Sequence, residues 1–353
     1  MIDLCVLFGG RSAEYEVSLR SAYSVLQNVD RSRFRILPVG VSKEGKWFLY
    51  TGKESKIPTG EWILDVGNCV PAYMTPDRGD PYLYAGGEKR KIDVVFPVMH
   101  GANCEDGRLQ GLLEMKGLPF VGSGCASSAV CMDKVFAKTL LMPYGVRVAD
   151  FLVVNAGDLP GGFSSVASRA REKLGYPLFV KPANAGSSVG VSKAGDEEEL
   201  KTALGKAAEV DRKILVEEYV AGREIEVAVF GSGESAKALA CGEVVPGAEF
   251  YDYDDKYNSD KASLSVPAPV SEKEKNEVLS LAEKIYAALD CRGLARVDFF
   301  LRPDGTFVFN EINTLPGFTS ISLYPRLAAC AGIGYGDLIA LLVEDALRGK
   351  DPE

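Results

Sequence analysis

The densest chemistry in the chain lies between residues 295 and 313. Ala295-Arg296-Val297-Asp298-Phe299-Phe300 and Phe307-Val308-Phe309-Asn310-Glu311-Ile312-Asn313 are two β-like runs separated by Pro303-Asp304-Gly305. An Asp-Gly turn between such runs predicts a hairpin. Side chains alternate across a strand, so Arg296 and Asp298 share one face of the first strand, and Glu311 and Asn313 one face of the second. Carboxylate and amide oxygens gathered this way suit a hard cation such as Mg²⁺, usually shared with substrate phosphates. A cationic Arg296 on the same face is unusual for a purely structural position. The plainer reading of these residues is a solvated hairpin face closed by a salt bridge.

Two further segments carry chemistry. In Tyr176-Pro177-Leu178-Phe179-Val180-Lys181-Pro182-Ala183-Asn184-Ala185-Gly186-Ser187-Ser188-Val189-Gly190 a lysine ends an apolar strand and a small-residue loop follows. Such a loop can offer a cation and backbone N–H groups to phosphates. It is neither a Walker A loop nor a Rossmann GxGxxG, so nicotinamide chemistry has no foothold; taken singly, a Gly/Ser loop is more often a plain turn. The segment Val98-Met99-His100-Gly101-Ala102-Asn103-Cys104-Glu105-Asp106-Gly107 holds the chain's one histidine. It stands at the carboxyl end of a predicted strand beside an acidic, Gly-rich loop. A satisfied structural histidine and a substrate contact are both open.

Behind these segments, apolar strands alternate with amphipathic helices up to about residue 120. Strand 2–8 runs into Gly9-Gly10-Arg11-Ser12 and helix 17–29; strand 92–99 is followed by a helix around 107–116. That alternation predicts a parallel, doubly wound sheet with ligand sites at the carboxyl ends of its strands. Further on, a helix at 131–143 precedes strands at 151–154, 178–182 and 213–217, with helices 165–174 and 197–209. Strands then crowd together at 224–230, 237–244, 294–301 and 306–312, interrupted by helix 271–289, and the pattern ends with helix 335–348. Runs of strands with few helices predict antiparallel sheets, hence α+β architecture. Segment 247–263, rich in Gly, Asp and Tyr, reads as a long loop of the kind that often serves as a lid.

With 353 residues the chain has room for two or three domains. Its net charge of −9 supplies no global attraction to nucleic acid or to an anionic membrane. An anionic substrate would therefore need a locally basic pocket. No apolar run reaches the roughly 18–20 residues of a membrane span, and Met1–Phe8 reads as a strand rather than a signal peptide. The eight cysteines are scattered without a CxxC pair. Free thiols in a reducing cytoplasm are the simple expectation, and zinc has no support.

Taken in order, these segments resemble the ATP-grasp carboxylate–amine ligases, and among them the D-alanine:D-alanine ligases and their vancomycin-resistance relatives. The likeness starts at Phe8-Gly9-Gly10-Arg11-Ser12-Ala13-Glu14 and Glu16-Val17-Ser18. It passes through His100-Gly101, Glu105-Asp106-Gly107, Gln110-Gly111, Met132-Asp133-Lys134, Lys181-Pro182 and Gly186-Ser187-Ser188-Val189-Gly190. Asp252-Tyr253, Lys256-Tyr257, Arg296-Val297-Asp298, Asn310-Glu311, Asn313-Thr314 and Pro316-Gly317 complete it. It covers nearly the whole chain and implies an N-terminal Rossmann-like substrate domain (1–122), a central ATP-grasp subdomain (123–220) and a C-terminal catalytic domain (221–353) with lid 247–263.

The resemblance also implies roles. Lys134 and Lys181 would meet ATP phosphates. Val216–Val220, including Tyr219 and Val220, would form the hinge along adenine, with Glu217 facing its exocyclic amine and Glu224 the ribose hydroxyls. Without the resemblance, Glu217, Glu218 and Glu224 read as surface charge. Asp298, Glu311 and Asn313 would hold two Mg²⁺ ions, or Mn²⁺ in their place. Arg296 and the Gly317 N–H would steady an oxyanion, where preorganised donors are worth about 3–4 kcal/mol each. Glu14 would pair with the ammonium of a first D-alanine, and His100 would lie near its carboxylate. Ser187 and Tyr257 would join Glu14 in a triad tied to the lid, which also carries the substrate-binding Lys256. Ser322 would face the second substrate's carboxylate and Leu323 its methyl group, although core packing explains a leucine equally well. The implied partners are D-alanine and ATP, in a cytoplasmic homodimer.

D-alanine, D-serine and D-lactate compete as the second substrate. D-lactate-using relatives carry a histidine in the lid; this lid has Lys256-Tyr257 instead. Glu14-Tyr15-Glu16 and Asn313-Thr314-Leu315-Pro316-Gly317-Phe318-Thr319-Ser320 look like the D-serine branch, but that branch tends to place arginine where Leu323 stands. An apolar leucine suits a methyl group, so D-alanine is expected and D-serine is the alternative.

Overall fold

The computed structural model of the protein describes residues 1–245 and 263–349. Lys256, Tyr257 and all but the last residue of the expected lid lie outside the described residues.

Strand β1 (Ile2–Gly9) is apolar after its first two residues and almost wholly buried, as a central parallel strand must be. It is flanked in parallel by β2 (Phe34–Val41) and β7 (Val94–Val98). Helix α1 (Tyr15–Asn28) packs its apolar side on β1. Between strand and helix the chain turns through Gly9 and Gly10, at φ +84° and +108°. A Cβ on Gly9 would sit 2.2 Å from the Val41 carbonyl oxygen, so only glycine makes this turn. The turn delivers Glu14 to the start of α1.

The parallel part ends with those three strands. Beyond β2, the strands β3 (Trp47–Tyr50), β4 (Cys69–Tyr73), β5 (Tyr82–Ala85) and β6 (Glu88–Lys91) continue the sheet antiparallel, in the order β6-β5-β4-β3-β2-β1-β7. The edge strand β6 is Glu-Lys-Arg-Lys and fully exposed, a charged border that discourages edge-to-edge pairing.

A second sheet, β10-β9-β11-β8, is antiparallel throughout: β8 (Phe151–Asn155), β9 (Leu178–Pro182), β10 (Ser192–Ala194) and β11 (Lys213–Glu218). Helix α6 (Glu197–Val210) covers it with Leu200, Ala203, Leu204 and Ala207, one stripe at helical spacing. Asp196 caps that helix by accepting the Glu199 N–H at 2.9 Å. Helix α5 (Leu159–Lys173) begins earlier than the expected residue 165, because a break at Pro160 and Gly161 joins an extra turn to its front.

A third antiparallel sheet runs β14-β13-β12-β15-β16, with β12 (Arg223–Phe230), β13 (Lys237–Val245), β14 (Ser263–Ser265), β15 (Leu294–Leu301) and β16 (Phe307–Asn313). Helix α7 (Glu272–Ala288), closed by a Ser271–Glu274 capping box, packs against β13, β12 and β15. Helices α8 (Leu323–Cys330) and α9 (Tyr335–Arg348) bury Leu323, Tyr324, Leu327, Leu338, Leu342 and Val343 in one apolar core with residues of the first and third sheets. No single helix among the described residues is long and apolar enough to cross a membrane.

The helix expected at 131–143 is two helices, α3 (Cys125–Met132) and α4 (Lys134–Leu141), after α2 (Arg108–Lys116). Asp133 interrupts them in extended conformation, and its carboxylate accepts the Val135 and Phe136 N–H groups at 3.1 Å. A capping aspartate outcompetes continuation of the helix here. The new start places Lys134 in the first turn of α4.

Candidate active site

On the β15–β16 hairpin Arg296 stands opposite Asn313 and Asp298 opposite Glu311, with a ladder irregularity just after Asp298. Arg296 donates Nε to Asp298 Oδ1 at 2.8 Å and Nη2 to Oδ2 at 2.7 Å, and Asn313 Nδ2 donates to the same Oδ2 at 3.1 Å. Arg296 also pairs with Glu226 of β12 at 2.7 Å. Glu311 pairs with Lys134 at 3.0 Å, and Lys134 donates to the Ala185 carbonyl at 2.9 Å. The hairpin face is thus a converging set of oxygens neutralised by Arg296 and Lys134. Asp298 is buried and Arg296, Glu311 and Asn313 are half-buried, which does not fit a plain solvated face.

Beside it lies a cavity of about 300 Å³ between the second and third sheets. Phe179 stacks on Tyr219 at 5.9 Å, and Val220, Ala149 and Phe309 add apolar wall. Glu224 also lines it. At its base Glu217, only 3% exposed, is gripped by Lys138 at 2.7 Å and Lys181 at 2.8 Å. Lys181 also donates to Asn310 Oδ1 at 3.1 Å. Burial pushes the Glu217 carboxyl up, but the charges of Lys138 and Lys181 outweigh it and hold the group at about 2. The surface-charge reading of Glu217 therefore fails: it is a buried anion between two buried cations. Lys138 escaped the sequence reading. It lies one turn beyond Lys134 on α4, and that i,i+4 spacing was the available signal.

A larger cavity, about 610 Å³, opens toward the N-terminal sheet. Glu14, 8% exposed, accepts the Ser187 hydroxyl across 173 positions of sequence. Ser187 and Ser188 sit in left-handed backbone at φ +48° and +57°. A Cβ on Gly186 would stand 2.6 Å from Glu14 Oε2, so a larger residue there would displace the Glu14 carboxylate. His100 is buried: Nδ1 lies 2.9 Å from the Leu315 carbonyl oxygen and Nε2 3.1 Å from Ser21 Oγ. Nδ1 must donate to the carbonyl, and in the neutral ring that burial favours Nε2 accepts from Ser21. Burial, opposed by the Glu14 charge, lowers its pKa in the same sense. Both ring nitrogens are taken by protein groups.

In the sequence Glu105 stands out only as part of the His100–Gly107 segment. It accepts the Gly101 N–H at 2.7 Å and the Leu315 N–H at 3.2 Å. Burial and the nearby Glu14 charge push its carboxyl up to about 8. Ser322 lines the cavity and accepts the Thr319 N–H at 3.1 Å. Leu323 is both core and cavity wall. Gly317 lies on the same wall. The two cavities meet at Lys134, Ser187 and Glu311.

Two antiparallel sheets enclosing a cavity floored by lysines, with a carboxylate hairpin at its mouth, define the class as an ATP-grasp ligase fold. The chain belongs to the D-alanine–D-alanine ligase family: models of the "D-ala D-ala ligase N-terminus" and "C-terminus" match residues 3–123 and 140–344. It is 47% identical over 346 residues to the D-alanine–D-alanine ligase of Clostridium novyi, covering 98% of each chain. Against that of Clostridium acetobutylicum it is 46% identical over 342 residues, 97% of this chain and 96% of the relative. Among solved structures, the VanG D-Ala:D-Ser ligase of Enterococcus faecalis superposes with a TM-score of 0.90 at 36% identity, covering 98% of this chain and 99% of that one. The D-alanine–D-alanine ligase of Coxiella burnetii gives 0.87 at 32%, covering 98% and 94%.

Proposed function

We propose that the protein joins two D-alanines into D-alanyl-D-alanine, a peptidoglycan precursor, with ATP as the driving substrate. The observation that carries this reading is the junction at Lys134, Ser187 and Glu311, where the lysine-floored cavity meets the larger one lined by Glu14, Arg296 and Ser322. A phosphoryl group reaching through that junction from one cavity meets a carboxylate held in the other. One carboxylate oxygen of the first D-alanine bonds to the γ-phosphorus and ADP leaves. The amine of the second D-alanine, having shed a proton, then attacks the acyl carbon, and inorganic phosphate departs with its bonding pair. A free carboxylate would have to expel oxide or hydroxide; phosphate is the far better leaving group.

Positions around the two cavities support the roles of the described residues; those of Lys256 and Tyr257 rest on the family resemblance alone. Lys134 and Lys181 serve the phosphates, and Tyr219, Val220, Glu217 and Glu224 the nucleoside. Glu14 takes the first ammonium and holds Ser187, with Tyr257 and Lys256 added from the lid. Arg296 and the Gly317 N–H receive the developing oxyanion. Within residues 315–319, the N–H groups of Leu315, Phe318 and Thr319 have acceptors at 3.2, 3.3 and 3.1 Å, and Pro316 has none to give. The Gly317 N–H is the one left without an acceptor among the described residues. Ser322 and Leu323 receive the second substrate.

Asp298, Glu311 and Asn313 fit magnesium as an oxygen donor set. They supply two carboxylates and one amide, and no group of three or more His, Cys, Asp or Glu gathers among the described residues. The coordination would therefore be completed by phosphate oxygens and water. Bound there, magnesium ions would neutralise phosphate charge. The domain limits 1–122, 123–220 and 221–353 and the cytoplasmic homodimer belong to the same proposal. A single 38.0 kDa species in sedimentation velocity would remove the dimer.

Similarity to a D-Ala:D-Ser ligase favours D-serine as a second reading, against which stands the apolar wall at Leu323. Dipeptide formation with D-alanine, D-serine and D-lactate as second substrate decides. D-Ala–D-Ala is expected to dominate at neutral pH. Preferential D-Ala–D-Ser would replace this reading, and ATP turnover indifferent to D-alanine would remove it.

A further inference from the structure

We infer that Ser21 and Glu105 are positioning residues for the ligation step: working with His100, they suspend the Leu315–Phe318 loop from both ends and so aim the Gly317 N–H. The inference rests on the reading of Gly317 as an oxyanion donor.

The loop follows directly on β16 and its Asn313. Its first residue is held on both sides of one amino-acid unit. The Leu315 N–H donates to Glu105 Oε1 at 3.2 Å, and the Leu315 carbonyl accepts from His100 Nδ1 at 2.9 Å. Its last residue is held once more, the Phe318 N–H donating to Ser21 Oγ at 3.3 Å. Ser21 is thereby fully used, since its proton goes to His100 Nε2 at 3.1 Å. All three holding groups come from the N-terminal segment and are buried, with Ser21 0%, His100 4% and Glu105 7% exposed. Glu105 is itself fixed by the Gly101 N–H at 2.7 Å. The Phe318 ring is wedged edge-on against Phe96 at 5.5 Å and Tyr335 at 5.4 Å, and the Tyr335 hydroxyl donates to the Phe318 carbonyl.

Gly317 lies between these anchors, in a stretch whose other donors are spoken for. A glycine has no side chain to fix its own peptide plane, so its N–H direction is inherited from the neighbours. An oxyanion donor acts through preorganisation, and small misplacements cost rate rather than ground-state binding. Ser21 lines neither cavity, and Glu105 lines only the larger one, away from the junction and the nucleotide wall. Their effect is therefore expected on kcat and on binding of a tetrahedral analogue, with nucleotide binding spared.

The test uses the full-length enzyme with Ser21→Ala and, separately, Glu105→Gln. Four quantities are read: kcat, the KM for ATP, the affinity for ADP, and the affinity for a phosphinate analogue of D-alanyl-D-alanine, whose tetrahedral oxyanion mimics the adduct. Expected are a kcat loss on the order of 10²-fold and a parallel loss of phosphinate affinity. The KM for ATP and ADP affinity should stay within about twofold. Wild-type kcat and phosphinate binding in both variants would overturn the inference. So would losses shared equally by ADP and phosphinate together with a collapsed thermal transition, which mark a merely structural role. Failure of the wild-type enzyme to form dipeptide or bind the phosphinate would instead strike the ligase reading, and this inference with it.

Discussion

Under the proposed mechanism Glu311 exchanges partners during a turnover. Its carboxylate pairs with Lys134 at 3.0 Å, yet the proposed chemistry asks Lys134 to meet a phosphate and Glu311 a cation bound to that phosphate. The pair keeps both groups charged and aimed at the junction until substrate separates them. Glu311→Gln removes the anion while keeping the shape. Ligation is expected to fall by on the order of 10³-fold, with a far-ultraviolet circular dichroism spectrum like that of the wild type. Near-normal turnover would take Glu311 out of the metal set. Glu105 offers a pH test. Burial and the Glu14 charge raise its carboxyl to about 8 from an ordinary 4.5, so the folded protein holds this proton more tightly than the unfolded chain. Its contribution to stability is full below about 4.5 and is lost as pH rises through about 8. Glutamine does not ionise. The melting temperature of Glu105→Gln minus that of the wild type should therefore climb between about pH 5 and 8. A flat difference would show that Glu105 is not the strained group.

At the level of elements, buried ion pairs brace α4, β9 and β11 around the nucleotide cavity. Lys138 of α4 reaches Glu217 of β11 at 2.7 Å and the Phe309 carbonyl of β16 at 3.3 Å. Removing one member of a buried pair typically costs about 3–5 kcal/mol. Because Lys181 stays on Glu217, Lys138→Met is expected near the lower end, read by chemical denaturation. The KM for ATP should rise about tenfold with the KM for D-alanine unchanged, since only the nucleotide side is braced; equal effects on both would refute the division. Such pairs explain where the sequence stopped being readable. The hairpin was legible because alternation and an Asp-Gly turn fix which residues share a face. Helices at 197–210 and 335–348 were legible from their apolar stripes. Lys138 and Glu217 lie 79 positions apart, however, and no local pattern announces that one will neutralise the other. The antiparallel strands β3 to β6 were missed because they are short, and β6 is entirely charged. The split at Asp133 was missed because a cap inside an apolar run leaves the period intact.

Across the whole molecule, the site is divided among three sheets, and that division sets an order in which ligands can tighten it. The cavity proposed for the nucleotide is lined by residues between Lys134 and Glu311 and, among the described residues, takes none from the first 122. The substrate cavity needs Glu14, Val17, His100 and Glu105 from the N-terminal segment. A ligand stabilises what it touches in the folded state, by about 2.7 kcal/mol at one hundred times its Kd. A non-hydrolysable ATP analogue with magnesium should therefore slow amide hydrogen exchange in 178–182, 213–220 and 307–313, and leave 10–20 and 99–106 at their free rates. Adding D-alanine should then protect those two N-terminal stretches, because Glu14, His100 and Glu105 line the cavity it would fill and the Leu315 loop hangs from the same segment. Protection of residues 10–20 by the nucleotide analogue alone would mean that the N-terminal sheet closes with the nucleotide, and the division of labour between the two cavities would have to be given up.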